Sequence, residues 1–175
     1  MPPGTGQISD LSRSALLSGR DPGIMAFFVC LEERMAVQRI DIRKEFAVPV
    51  DKLFAFLSVH KNLETIFAPA KIRRVKDGSD VPDGLGSVRR MRILIAPPFE
   101  ETITARVPDE RIEYRITRGS PLRNHHGVMR FSSTPSGGSA LHYTIEFEGK
   151  LPLVGPIVRA GLDNAIRRGL DKVRL

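Results

Sequence analysis

The 175-residue chain contains one cysteine, Cys30, and no tryptophan. A single cysteine can form neither an intramolecular disulfide framework nor a cysteine-based metal cluster, so a reducing cytoplasm is the expected location. Hydrophobic residues make up 41% of the chain and charged residues 27%. These proportions are typical of one soluble globular domain that is large enough to bury a full core.

An apolar run long enough to cross a bilayer is also lacking, since such a run needs about 20 residues. The apolar stretch within residues 23–31 is too short, and no A-x-A cleavage site follows it. Residues 1–35 show no sustained periodicity. We interpret them as a flexible N-terminal extension or as a mis-assigned start, because Met25 and Met35 are alternative first residues. The folded domain is expected over residues 36–175, with no stable membrane insertion.

The motifs of common enzyme and cofactor sites are absent as well. The chain has no G-x-S-x-G elbow and no phosphate-binding P-loop. Gly84 and Gly86 precede a strand pattern rather than a helix, so they do not form a dinucleotide fingerprint. His125 and His126 are adjacent on a predicted strand and should face opposite sides, so they cannot share a metal ion. We expect no cofactor and no metal.

The net charge of +7 raises the question of an anionic partner. Residues 1–36 hold three arginines against four acidic residues, so the remainder carries +8. In that remainder Arg is spread along strands and interleaved with Glu and Asp, which is typical of a solvated surface. We therefore expect no nucleic-acid partner. Docking of RNA, ribosome or membrane by a basic surface stays open as an alternative.

Apolar periodicity and turn residues predict seven strands and three helices. The strands are expected at residues 37–46, 70–77, 86–96, 99–107, 110–118, 125–134 and 139–148. Two short helices should follow the first strand, one beginning at residues 48–51 and one over residues 60–67. A long amphipathic helix should run from Leu151 to the end. Its apolar stripe consists of Val154, Val158, Leu162, Ile166 and Leu170, with Ile157 and Val173 flanking it.

Four short motifs support this order of elements. They are Val48-Pro49-Val50 before the first helix, Gly84-Leu85-Gly86-Ser87-Val88-Arg89, Arg111-Ile112-Glu113-Tyr114 with Gly119, and Gly137-Gly138-Ser139-Ala140-Leu141-His142-Tyr143. Over residues 36–174 the chain resembles the SRPBCC or START-like helix-grip superfamily, closest to the bacterial polyketide cyclase/dehydrase and lipid transport family. The resemblance implies an α+β fold, in which a curved seven-stranded antiparallel sheet wraps around the long C-terminal helix. It also implies a hydrophobic ligand cavity between that sheet and that helix.

The alternation of side chains along each strand predicts which residues line the cavity. From the strands these are Arg89, Met91, Ile93, Ile95, Glu101, Ile103, Ala105, Val107, Ile112, Tyr114, Ile116, His125, Gly127, Met129, Phe131, Leu141, Tyr143, Ile145 and Phe147. From the helix they include Val158, Leu162 and Ile166. We take the ligand-binding residues to be Arg89, Met91, Ile93, Glu101, Ile103, Tyr114, Ile116, His125, Met129, Phe131, Tyr143, Ile145, Val158, Leu162 and Ile166.

The polar members of this set are the candidates for chemistry. Arg89 and Glu101 should lie opposite each other, either as a buried ion pair that fixes the register or as an anchor for a ligand carbonyl, carboxylate or phenol. His125 could act as a general acid or base, or make one structural hydrogen bond. Tyr114 and Tyr143 either pack in the core or donate to a ligand.

Three functions are consistent with these features. The first is binding or transport of a small hydrophobic molecule, such as a lipid, polyketide or isoprenoid. The second is a polyketide cyclase or aromatase that uses Arg89, His125 and the tyrosines. The third is an interaction protein with a basic docking surface. We rank them in that order and expect a monomer or homodimer.

Overall fold

The computed structural model describes residues 36–175, so the predictions for residues 1–35 lie outside the described part of the chain. Seven antiparallel strands form one sheet in the order β1-β7-β6-β5-β4-β3-β2. The strands are β1 (Gln38–Phe46), β2 (Ala70–Lys76), β3 (Val88–Ile93), β4 (Phe99–Val107), β5 (Arg111–Arg118), β6 (Leu122–Ser133) and β7 (Ser139–Gly149). Only β1 lies out of chain order, since it pairs with β7 and not with β2. The sheet therefore begins and ends with the strands that flank the two short helices.

Two of the three helices within residues 36–175 connect β1 to β2. Helix α1 (Val50–Ser58) starts directly after Pro49, and a short 3₁₀ helix (His60–Glu64) follows it. Proline is tolerated at a helix entrance because its missing N–H would have no partner there in any case. Leu53, Phe54 and Leu57 are buried, whereas Phe56 is only partly buried.

The third helix, α2 (Val154–Asp171), has the predicted amphipathic stripe only in its C-terminal half. Ile166, Leu170 and Val173 are buried in the core, while Val158 and Leu162 are partly covered. Ile157 is 69% exposed, so its placement beside the stripe was wrong. Near its C-terminal end α2 packs closely against the backbone of Ile66. Gly169 permits this approach, because a Cβ on it would lie 2.4 Å from the Ile66 Cα atom. The N-terminal half of α2 is consequently the less tightly covered half.

Strand β3 is shorter than predicted, which removes two residues from the expected interior set. It ends at Ile93, and the chain turns at Leu94, whose φ is +50°. Ile93 is 37% exposed and Ile95 is 98% exposed, so their placement in the cavity lining was wrong. The alternation rule holds only within a strand, and these residues lie at or beyond its end.

The core is a single cluster of buried apolar side chains, contributed by the sheet, α1, the 3₁₀ helix and the C-terminal half of α2. The α+β class, the curved seven-stranded sheet and the long C-terminal helix are thus confirmed. Within residues 36–175, no helix combines the length and the apolar character that crossing a membrane requires.

Candidate ligand-binding site

Arg89 and Glu101 form a buried ion pair in the interior of the domain. Their strands align the two residues directly opposite each other, and the Arg89 Nε atom donates to Glu101 Oε2 over 2.7 Å. The side chains are 1% and 5% exposed. Burial opposes the charged form of Arg89, but Glu101 together with Tyr114 and Tyr143 outweighs it, so the pKa of the guanidinium is raised. The pairing that the sequence predicted is therefore present and shielded from water.

Two tyrosines extend this pair across the sheet. The Arg89 guanidinium lies 4.5 Å from the centre of the Tyr114 ring, a cation–π distance. The hydroxyls of Tyr114 and Tyr143 are hydrogen-bonded to each other, and both residues are fully buried. Burial raises the pKa of each phenol above its ordinary value, so both stay protonated at neutral pH. One of the two hydroxyls donates its proton to the other, and the proton of the accepting hydroxyl is free to donate elsewhere.

His125 lies beside the tyrosine pair. Its ring stands 5.4 Å from that of Tyr114 and stacks at 6.5 Å from that of Phe147. The Ile116 N–H donates to His125 Nδ1 over 3.3 Å, which makes Nε2 the protonated nitrogen of the neutral ring. Burial is the main cause that lowers the pKa of His125, so the ring is neutral at pH 7. His126 lies on the other face, as predicted, with Nε2 2.9 Å from Glu113.

A second buried polar group, which sequence reasoning missed, adjoins this cluster. His60 is 2% exposed, and its Nδ1 and backbone N–H both lie close to the Asp83 carboxylate, at 3.2 and 3.0 Å. Its Nε2 is 3.4 Å from the Ser87 Oγ atom, two residues before Arg89. Burial, together with the Arg89 cation, lowers the pKa of His60 to about 4. Arg74 Nη1 lies 2.7 Å from Asp83 Oδ1, the same oxygen that His60 Nδ1 approaches.

The connectivity Ser87–His60–Asp83 matches that of a nucleophile relay, but the geometry favours a structural role. Ser87 is completely buried, and its 3.4 Å contact to His60 is long for a hydrogen bond that activates a nucleophile. The group instead ties the loop before β3 to the 3₁₀ helix and so positions Arg89. No local pattern could have revealed it, because His60 is 23 residues from Asp83 and 27 from Ser87.

Most of the other predicted ligand-binding residues surround these polar groups. Met91, Ile103, Met129, Phe131, Ile145 and Ile166 are buried members of the core cluster. Ile116 is only partly buried, as are Val158 and Leu162. Ile93, as described above, lies apart from the cluster. The structure thus brings together the polar residues and most of their apolar surroundings.

Two open depressions also lie on the described domain, and neither has the lining that was predicted. One, of about 580 Å³, is lined by residues of β1, β6 and β7 that include Arg43, Arg130 and Phe131. The other, of about 310 Å³, adjoins Asp83 and Arg106. Of the predicted ligand-binding residues only Phe131 contributes to either. In the described range no three His, Cys, Asp or Glu side chains are grouped so as to hold a metal ion.

Comparison with known proteins agrees with this architecture. The family model described as polyketide cyclase / dehydrase and lipid transport matches residues 37–174. A START superfamily protein from Mycobacterium smegmatis superposes with a TM-score of 0.63 at 13% identity, covering 76% of this chain and 92% of its own. The Zhui aromatase/cyclase of a Streptomyces strain superposes with a TM-score of 0.59 at 18% identity, and the match covers 78% of this chain and 88% of that protein. Truncated norcoclaurine synthase from Thalictrum flavum superposes with a TM-score of 0.56 at 14% identity, and the match covers 79% of this chain and 96% of that protein. No curated protein matches the chain. At these identities the structural likeness establishes the fold alone.

Proposed function

Because the chain belongs to the polyketide cyclase/dehydrase and lipid transport family, we propose that it binds a small hydrophobic molecule through the Arg89 cluster. The cluster consists of Arg89, Glu101, Tyr114, His125 and Tyr143. It lies in the core that the sheet, α1, the 3₁₀ helix and the C-terminal half of α2 form, where an apolar ligand would exchange water for buried side chains.

One observation carries the proposal: the Arg89 Nη2 atom is buried and has no hydrogen-bond partner within the described residues. Buried donors are almost always paired, and an unpaired one costs free energy, more so when it is charged. Glu101 occupies the Nε side of the guanidinium only. A ligand oxygen would complete the set of partners at Nη2.

The chemistry of the cluster defines the ligand class. A guanidinium N–H and a free phenolic O–H are both donors, so the recognised group is an acceptor: a carbonyl, carboxylate or phenolate oxygen. The surroundings, which include Met91, Ile103 and Met129, are apolar. The ligand therefore combines a hydrophobic body with one oxygen-bearing end, as do fatty acids, polyketides and isoprenoid quinones.

The N-terminal half of α2 is the proposed route of entry. Val158 and Leu162 on this half are only partly covered, whereas Ile166 one turn further along is fully buried. Displacing two half-covered side chains costs less than opening the packed C-terminal half. The apolar body of the ligand would lie beneath Leu162.

The test combines identification with titration. Molecules extracted from the purified protein are identified by mass spectrometry, and binding of a fluorescent fatty acid is titrated. We expect one-to-one stoichiometry. The paired replacement R89M/E101L removes the anchor without leaving a lone buried charge, and it should weaken binding roughly ten- to a hundred-fold, as expected for a charged hydrogen bond.

Two further variants make this titration decisive. Arg90→Met is the matched control, because Arg90 is 44% exposed and pairs with Glu100 on the other face; it should bind like the unaltered protein. Leu162→Trp should block the entry route and abolish binding without loss of fold. Failure of the unaltered protein to bind any such ligand would refute the proposal.

A second candidate function is a cyclase-type reaction, favoured by the neutral His125 in the same cluster as Arg89. A cation that polarises a carbonyl and a neutral imidazole whose Nε2–H donates to the oxygen of the forming enolate are two groups that promote enolisation. If turnover occurs, His125→Gln should abolish it while ligand binding persists. A bound molecule that is recovered unchanged after incubation would favour the carrier function.

A further inference from the structure

We infer that one end of the domain is a docking surface for an anionic phospholipid bilayer. This apical surface consists of three segments, each made of a connection and the adjoining ends of its elements: residues 92–98 from the end of β3 toward β4, residues 118–123 from the end of β5 into β6, and residues 149–159 from the end of β7 into α2. The inference is independent of the proposed ligand, because it depends on exposed side chains rather than on the buried cluster.

The three segments are held side by side. A Cβ on Gly119 would lie 2.7 Å from the Pro98 carbonyl oxygen, so the first two segments are in close backbone contact. The Lys150 N–H donates to the Pro121 carbonyl over 2.9 Å, and Lys150 Nζ donates to the Ser120 carbonyl over 2.8 Å. These contacts join the second segment to the third. The apical surface is thus continuous.

Six of its large apolar side chains are exposed to solvent. Twelve large hydrophobic residues of the described domain are exposed, and six of them belong to the apical surface. They are Ile93, Leu94, Ile95, Leu151, Leu153 and Ile157. Ile95 is 98% exposed, and Leu94 and Ile157 are each 69% exposed. A contiguous set of this kind marks an interaction site rather than random surface composition.

The backbone presents two of these side chains at a cost in strain. Leu94 and Leu153 have φ values of +50° and +70°, in the left-handed region that residues with a bulky side chain rarely adopt. The other non-glycine residues with positive φ in the described range are Asp109 and Asn124, of the types that tolerate it. Strain retained at an exposed leucine has no packing benefit within the domain, so it points to an external partner.

The charges of the apical surface select an anionic partner. Its three segments contain five basic residues and no acidic residue. Arg92 and Arg118 have no carboxylate within salt-bridge distance among residues 36–175. The N-terminus of α2, which begins at Val154, adds the positive end of a helix dipole to the same surface. Arg123 is the exception, since it pairs with Glu148. The interleaving of charge along the chain had argued against such clustering, but folding gathers these cations at one end.

A lipid surface fits this composition better than RNA or a second copy of the chain. The three segments contain no aromatic side chain, whereas single-stranded RNA is bound largely by stacking on aromatic rings. Two copies meeting at these segments would bring ten basic residues together, twice the five counted above. Exposed Leu and Ile beside Arg and Lys, in contrast, match the hydrocarbon boundary and the anionic headgroups of a bilayer.

The experiment uses the full chain with vesicles of phosphatidylcholine, alone or mixed with phosphatidylglycerol. We expect co-flotation with the anionic vesicles only, and release as salt is raised. Lys150→Ala should weaken binding about five-fold, the factor that corresponds to ~1 kcal/mol for each basic residue near such a surface. Ile95→Asp should abolish binding without lowering the melting temperature. Lys76→Ala, a charge removal on β2 outside the apical surface, is the control and should bind normally.

The absence of tryptophan makes insertion directly observable. In Ile95→Trp the single indole should shift its emission to the blue on adding anionic vesicles. In Leu85→Trp the emission of the indole should not shift. Leu85 lies just before β3, at the end away from Ile95, and the native residue is 43% exposed. Equal shifts in both variants, or no association with anionic vesicles at low salt, would overturn the proposal. A dimer that Ile95→Asp dissociates, or RNA binding that Lys150→Ala weakens in place of vesicle binding, would also overturn it.

Discussion

The guanidinium of Arg89 is held between the Glu101 carboxylate, 2.7 Å from its Nε atom, and the face of the Tyr114 ring. This relationship places an ion pair inside a largely apolar core. A buried ion pair contributes little net stability relative to apolar residues of similar size, yet either partner alone is strongly destabilising. The net contribution of the pair to stability is therefore expected to be small, which is compatible with the anchoring role proposed for it.

A double-mutant cycle on this pair tests that view. Glu101→Leu should lower the free energy of unfolding by about 3–5 kcal/mol, because it leaves Arg89 charged and uncompensated. Arg89→Met should cost a similar amount. The variant R89M/E101L should recover most of the loss, which urea unfolding would measure. A coupling energy near zero would show that both groups reach water and would contradict their burial.

Gly127 lies opposite Tyr114 in the β5–β6 ladder, and the tyrosine ring occupies the space where a side chain would be. A Cβ at position 127 would lie 2.2 Å from Tyr114 Cζ. Gly127→Ala should therefore displace the ring and destabilise the domain by about 1–3 kcal/mol. Circular dichroism melts would measure the change.

Gly161 provides the matched control for this substitution. It lies in α2, and a Cβ on it would meet nothing within 4 Å. Gly161→Ala should stabilise the helix by roughly 0.5–1 kcal/mol, because glycine loses more backbone freedom than alanine on folding. Equal effects of the two substitutions would contradict the close contact between Gly127 and Tyr114.

His60 should make the stability of the domain depend on pH. Its pKa is about 4 in the folded domain against 6.5 as the ordinary value, so between these values the unfolded chain binds more protons. The contribution of the neutral His60 to stability is complete above pH 6.5 and is lost as the pH drops toward 4. The loss attributable to this residue is at most about 3 kcal/mol.

Urea unfolding at pH 7 and pH 4.5 would measure this loss, and His60→Gln should remove much of the difference between them. Burial also lowers the pKa of His125. The stability of the variant with both histidines replaced should therefore depend on pH even less. If His60→Gln left the difference in unfolding free energy between pH 7 and pH 4.5 unchanged, the imidazole would not be buried as described.

Sequence patterns located most of the fold and part of the candidate site. Alternation placed Arg89 and Glu101 on the interior face and opposite each other, because both lie on regular strands joined by one turn. The same rule was wrong for Ile93 and Ile95, since β3 ends before its apolar run does. Helical spacing likewise identified Ile166 and Leu170 but misplaced Ile157, at the less covered end of α2.

What the sequence by itself determined is the order of elements, because the apolar period and the turn residues are local properties of the chain. Only the tertiary structure decided which distant side chains meet. The contacts of His60 with Asp83 and Ser87, the unpaired Nη2 atom of Arg89 and the apical surface all depend on how strands and loops are brought side by side. Such contacts are set by pairing register and by close backbone approach, and neither leaves a period in the sequence.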